Sequence, residues 1–227
     1  MSDPTPVTAA AHAFVDDLAY PVLSIGDRHH LERVLRLRAG VEVTVGDGKG
    51  SWRACRFGSE LEPSGPVVVD VEPAPAVGVG FALVKGERPE LVVQKLTELG
   101  VDRIVPFVAG RSVVRWDAPK AARQLERLVV IAREAAMQCR RTRLPEVAPL
   151  ATFAEVAAGP GVALADPGGE QLGPGDQFVL VGPEGGWTPE ERALGTRRIE
   201  LANYVLRAET AAIAAGALLC SFRDRRI

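Results

Sequence analysis

Hydrophobic and polar positions follow two different rhythms along this chain, and the change falls near residue 73. Before it, apolar residues come in short runs broken by turn formers. "VEVTV" (41–45), "SWRACRF" (51–57) and "PVVVDVE" (66–72) are rich in β-branched residues, and "GDGKG" (46–50) separates the first two. One stretch breaks the pattern. "DRHHLERVLRLRAG" (27–40) places Leu31, Val34, Leu35 and Leu37 on a common stripe, which predicts one short helix closed by Gly40. Together these runs predict a small barrel-like β domain. "PAPAVGVG" (73–80) follows and reads as a linker.

Beyond the linker, apolar runs alternate with helical periodicity. "FALV" (81–84), "RIVPFV" (103–108), "VALA" (162–165) and "QFVLV" (177–181) read as buried strands. "PELVVQKLTELG" (89–100) opens with a proline and stops at a glycine, as helices do. "PKAARQLERLVVIAREAAMQC" (119–139) sets Leu125, Leu128, Val129, Ala132, Ala136 and Cys139 three or four apart on one face. This alternation predicts an α/β unit with a mostly parallel sheet. The last helix, "AETAAIAAGALLCSF" (208–222), is almost uniformly small and apolar. Such a helix is buried either within the fold or at a subunit contact.

Composition adds exclusions. The chain has 227 residues, 47% hydrophobic and 25% charged, which suffices for a real core. No apolar run approaches the roughly 18 residues of a membrane span, so no membrane partner is expected. The opening "MSDPTPVTAAAHAF" lacks the layout of a secretion signal. Three widely spaced cysteines, Cys55, Cys139 and Cys220, fit a reducing cytosol and a cytoplasmic location. The net charge of −2 is unevenly spread: between Arg103 and Arg143 there are 10 basic and 3 acidic residues. That excess is either a solvated helix face or a surface that reads phosphates.

The sites are narrowed by elimination. There is no P-loop and no dinucleotide fingerprint. His12, His29 and His30 lack metal-ligand spacing to any cysteine, and no metal site is expected. "VGPEGGWTPEE" (181–191) divides into two parts. Thr188, Pro189 and Glu191 form a helix-starting capping box. "GPEGG" is either a tight connection or a binding loop at the carboxyl end of a buried strand, where open α/β sheets hold ligands. "LANYVLRAET" (201–210) is a second strand-end loop, which sets Arg207 and Glu209 at the start of the last helix.

These residues carry a resemblance. "VGPEGGW" followed by "LRAETAA" resembles the C-terminal signature of the RsmE family of ribosomal-RNA uridine-N3 methyltransferases, in the SPOUT superfamily. "VKGERPELVVQKLTELGVDRIVPF", "RSVV", "EAAMQCRRTRLPEV" and "HHLERVLRLRAG" are similar to further elements of that family, in order, from about Ser24 to Leu219. The resemblance implies a PUA-like β-barrel RNA-binding domain (1–74) and a SPOUT methyltransferase domain (75–227) with a C-terminal trefoil knot. It implies a homodimer and S-adenosyl-L-methionine as cofactor. The substrate implied is N3 of a uridine in small-subunit (16S) ribosomal RNA, within the assembled subunit.

Carried over to this chain, the cofactor site comprises Leu164, Val181, Gly182, Pro183, Glu184, Gly185 and Gly186, with Leu201, Ala202, Tyr204, Leu206 and Thr210. Glu184 either touches the ligand or holds its loop. Arg207 suits the stabilisation of charge developing on the uracil. Glu209 is either the proton acceptor or the residue that orients Arg207, with orientation favoured. RNA contacts fall to His30, Arg33, Arg36, Arg111, Arg115, Gln138 and Arg141, with Arg140, Arg143 and Glu134 nearby. The chain departs from the family pattern at Met137, at Thr142 and at Ala202, Asn203 and Tyr204. A rival reading is a binding protein that keeps the fold without the catalysis.

Overall fold

In the computed structural model, residues 5–86, 88–194 and 197–225 are described. The first four residues of the expected first domain, Glu87 of the "VKGERPEL" element and the last two residues of the chain lie outside them. The chain divides into two units, 1–72 with 133–144, and 73–132 with 145–227.

The first unit is built on a five-stranded sheet. Strand β1 (His12–Phe14) runs parallel to β2 (Glu42–Gly46), which pairs antiparallel with β3 (Ser51–Arg56). Two short strands, β4 (Glu62–Pro63) and β5 (Val68–Val69), also pair with β3. Val43, Val45 and Cys55 point inward and pack with Leu31 and Leu23. Helix α1 (Ile25–His29) starts where the Ser24 hydroxyl accepts from the Asp27 amide. It then widens into a π-helical turn (His30–Val34), in which the Leu35 amide reaches back to the His30 carbonyl.

That turn corrects the expected helix. Leu31 is fully buried and Leu37 packs against the core, but Val34 and Leu35 are exposed. A π turn takes more residues per revolution than an α turn, so positions 34 and 35 rotate away from the core. The helical path ends at Arg36, at φ 53°, rather than at Gly40. Residues 133–144 fold with this unit through fixed contacts. Arg133 forms a bidentate pair with Asp27, and the Arg140 guanidinium donates to the carbonyls of Pro6, Ala9 and Ala10. The Thr142 hydroxyl donates to Asp70.

The second unit contains β6 (Gly78–Ala82), α2 (Arg88–Leu99), β7 (Arg103–Val108), α3 (Ala118–Cys139), β8 (Glu146–Val147), β9 (Ala151–Thr152) and α4 (Phe153–Ala157). It continues with β10 (Val162–Gln171), β11 (Phe178–Val181), α5 (Pro189–Arg192), β12 (Arg197–Glu200) and α6 (Ala208–Arg223). As the alternation predicts, the sheet is parallel: β12-β10-β11-β6-β7-β8, with β9 also on β7. All five positions of β6 are buried, as expected of a central strand covered on both faces. α6 lays Ala212, Ala215, Gly216 and Leu219 against the core, close to α2. The approach requires glycine at 216, where a Cβ would stand 2.5 Å from Leu96 Cδ2. Among the described residues, no helix is long and apolar enough to cross a membrane.

Candidate active site

Three adjacent parallel strands deliver the site. β10, β11 and β12 neighbour one another; the chain leaves β11 and β12 through loops beginning at Gly182 and Leu201, and β10 breaks its register with β12 between Ala165 and Glu170. These loops enclose a cavity of about 180 Å³ whose floor is the start of α6 at Ala208 and Ala211. A larger cavity, about 480 Å³, lies near Arg103, Val162, Gln177 and Phe178, at the opposite, amino ends of the strands. Ligands of open parallel sheets bind at the carboxyl ends, so the smaller cavity is the candidate.

The glycine loop is shaped by what lies beneath it. Trp187 is almost fully buried, stacks on Phe107 with a 4° interplanar angle, and donates its indole N–H to the Ala165 carbonyl at 2.9 Å. A Cβ at Gly182 would stand 3.0 Å from that indole, so a side chain there would crowd the ring. The Gly186 amide closes a turn onto the Pro183 carbonyl, and Gly186 itself sits at φ +68°. The capping box expected at Thr188 and Glu191 is present. The other Glu191 oxygen accepts from the Gly110 amide at 2.8 Å, and Arg111 donates to the Gly185 carbonyl. Both bonds tie the loop to the segment after β7.

Among the proposed cofactor residues, Val181, Gly182, Pro183, Glu184, Gly186, Leu201, Ala202, Tyr204 and Leu206 line the cavity. Gly185 and Thr210 lie outside its lining, and Leu164 is fully buried in the core. Side chains alternate along β10, so its neighbour Ala165 reaches the cavity, followed by Asp166 and Pro167. Asp166 and Glu200 had not been anticipated. "ADPGG" repeats the layout of "GPEGG", an acid beside proline and glycines after an apolar run, and that signal could have found Asp166. Arg192 grips Asp166 with two hydrogen bonds of 2.9 Å, and Arg198 adds a third. Burial opposes ionisation of Asp166, but these two guanidinium groups outweigh it and hold the carboxyl below its ordinary range.

Arg207 occupies the N-cap position of α6 and is exposed; among the described residues it has no carboxylate partner. Glu209 is not its mate. The carboxylate, only 12% exposed, lies 3.6 Å from the Nε of Arg88, a residue that sequence reasoning passed over. The same Arg88 donates to Glu184 at 2.9 Å. The second oxygen of Glu209 is buried and has no partner in the described structure.

Of the RNA candidates, His30, Arg33, Arg36 and Gln138 are exposed on the first unit, where Arg141 is half-buried. Arg111 and Arg115 are exposed on the second, Arg111 being anchored to the glycine loop. The basic excess between 103 and 143 is partly structural. Arg133, Arg140 and Arg143 are held by the first unit's own carboxylates and carbonyls. The departures at 137 and 142 have structural partners: the Met137 sulfur accepts from Arg133, and Thr142 is buried on Asp70.

Comparison with known proteins places these features in context. The family described as "RNA methyltransferase domain" matches residues 72–220. A ribosomal RNA small subunit methyltransferase E of Mycobacterium bovis is 34% identical, over 90% of this chain and 89% of its own length. The protein of that name from Bacillus subtilis is 29% identical, over 81% and 82%. The crystal structure of the Neisseria gonorrhoeae methyltransferase E bound to S-adenosylmethionine matches with a TM-score of 0.76 and 27% identity, covering 93% of this chain and 97% of that one. A Legionella pneumophila protein in complex with the same cofactor matches with a TM-score of 0.80 and 27% identity, covering 92% and 96%.

Proposed function

This chain belongs to the family of ribosomal RNA small subunit methyltransferases E, and from that membership we propose that it methylates N3 of a uridine in small-subunit ribosomal RNA. It is an S-adenosylmethionine-dependent ribosomal RNA methyltransferase. The observation that carries the reading is the cavity formed by the irregular stretch of β10 with the loops after β11 and β12.

The residues present fit the cofactor. Gly182, Pro183 and Gly186 line one wall of the cavity, where small residues let a ligand approach the main chain. Among the described residues no lysine or arginine lines the cavity; of its three carboxylates, Asp166 is paired with Arg192 and Arg198 and Glu184 with Arg88. When bound, the cofactor supplies an electrophilic methyl group.

The chain's own residues then have to manage a poor nucleophile. Uracil N3 carries a proton near neutrality and its lone pair is delocalised, so the proton must leave at or before attack. Negative charge then spreads over O2 and O4. Arg207, exposed and without a carboxylate mate, is free to meet that charge with a rigid fork that stays protonated. Glu209 keeps one buried oxygen open as an acceptor. Its ion pair with Arg88 takes the place of the expected pairing with Arg207.

Finer architecture belongs to the same proposal. After β12, at the edge of the sheet, the chain returns to lay α6 on β6 and β11. This path supports a trefoil knot through residues 201–207. The half-buried Ile213, Ala214 and Ala217 of α6 support a homodimer. The first unit, with exposed His30, Arg33 and Arg36, serves as the PUA-like RNA-binding domain, and recognition of an assembled small subunit follows from its modest charge.

Label transfer from S-adenosylmethionine to small ribosomal subunits lacking the modification, beside naked ribosomal RNA, tests the reading. Transfer to subunits is expected, with a fall of about 100-fold for Arg207→Ala and little change in cofactor affinity. Cofactor binding without transfer to either substrate would overturn the substrate assignment. Failure to bind the cofactor would overturn the assignment of the cavity.

A further inference from the structure

We propose that Arg88 is a positioning residue for methyl transfer. Its single guanidinium latches the glycine loop to the first turn of α6 and so fixes the turn from which Arg207 projects. The proposal rests on the cavity being the S-adenosylmethionine site.

The contacts define the latch. Arg88 Nη1 lies 2.9 Å from Glu184 Oε1, and Nε lies 3.6 Å from Glu209 Oε1. Glu184 lines the cavity, and Glu209 stands two residues after Arg207. Arg88 therefore joins the wall of the cofactor cavity to the helix that carries the charged groups of the reaction. It does so from a third element, the start of α2. A planar fork can serve two carboxylates in fixed directions, which a lysine ammonium on a flexible stem does poorly.

Fold stability does not account for this arrangement. The side chains of Arg88 and Glu184 are 37% and 69% exposed, and ion pairs that open to water add little after the entropy of holding two long side chains. Glu209 is different, being 12% exposed with one oxygen unpartnered. A carboxylate so placed needs a cation, and Arg88 is the one the described structure supplies. Arg207, two residues earlier at the N-cap of α6, is exposed and has no carboxylate mate in the described structure. By meeting the charge of Glu209, Arg88 fixes the turn that Arg207 opens.

The test separates positioning from mere structure. Calorimetric affinity for S-adenosylmethionine and the single-turnover rate at saturating cofactor would be measured for wild type, Arg88→Ala, Arg88→Lys, Glu184→Gln and the Arg88→Ala/Glu184→Gln double variant. Thermal midpoints would be recorded alongside. The account expects Arg88→Ala to weaken cofactor affinity by about fivefold. It expects the saturated rate to fall by about tenfold at a near wild-type midpoint. Glu184→Gln should add little to the affinity loss in the Arg88→Ala background, since both break one contact. Arg88→Lys should recover part of the rate, because a cation again faces Glu209. Wild-type affinity and rate in Arg88→Ala would overturn the proposal, as would additive losses in the double variant. So would losses that merely track falling midpoints. If wild type itself fails to bind the cofactor, the cavity assignment falls, which is a different failure from that of Arg88.

Discussion

Glu209 and Arg207 differ by two positions in the chain and by almost everything in their surroundings. One is nearly buried and held by Arg88; the other is exposed at a helix start. The sequence identified both as candidates because they open a helix after a strand-end loop. It could not identify Arg88, since nothing in local periodicity announces a contact 96 residues away on Glu184. Leu164 illustrates a different limit. Membership in a strand next to the site was legible, but which face of the strand meets the cavity was not, and its neighbours Ala165 and Asp166 line it instead.

His12 was visible only as a residue unsuited to metal binding. The structure buries it in the first unit, with Nδ1 2.9 Å from the Thr44 hydroxyl oxygen. Burial, and secondarily the charge of Arg140, lower its pKa from 6.5 to about 4, against an opposing pull from Asp70. Between those values the unfolded chain binds more protons at this position than the folded one. Stability is therefore lost as pH falls from 6.5 towards 4, by about 2 kcal/mol at pH 5 from this group. Denaturant titrations of wild type and His12→Gln at pH 7 and pH 5 would show the wild type losing about that much more. Identical pH dependence in the two proteins would contradict this assignment.

Elements were read from the sequence with uneven success, for identifiable reasons. The long amphipathic α3 and the proline-started, glycine-stopped α2 carry several agreeing signals, and both form. The short helix after Ser24 carried one signal, the apolar stripe, and the π turn broke its register at Val34. β1 and β4 are two or three residues long, too short for an alternating pattern to register. For α6 the sequence left open whether core or subunit contact accounts for its small residues. One face, including Ala212, Ala215 and Gly216, packs inside the second unit. Gly216→Val should destabilise the protein by about 2 kcal/mol through overpacking on Leu96 and Val101. Equilibrium unfolding of the variant checks this, and unchanged or raised stability would show that α6 and α2 can separate without cost.

At the scale of the whole molecule, strand and helix alternation made a parallel sheet legible but left the strand order open. Order depends on which strands pair across long stretches of chain, and β10 entering between β11 and β12 leaves no local trace. Residues 133–144 were likewise unreadable as part of the first unit. Their anchors, Asp27, Asp70 and the carbonyls near Ala9, lie far away in sequence. The residues that line the candidate cavity were more legible than the fold around it. They come from contiguous loops at strand ends, and glycines placed where a backbone must approach a ligand are visible one residue at a time.

The central claim is chemical, that the methyl group arrives on N3 of a uridine. The most direct measurement is to digest small-subunit RNA, methylated by the purified protein from S-adenosylmethionine, to nucleosides and identify the modified one by chromatography and mass. The account predicts N3-methyluridine in the wild-type reaction and its loss with Arg207→Ala. A methyl group on a cytidine, on a ribose or on another uridine atom would contradict it.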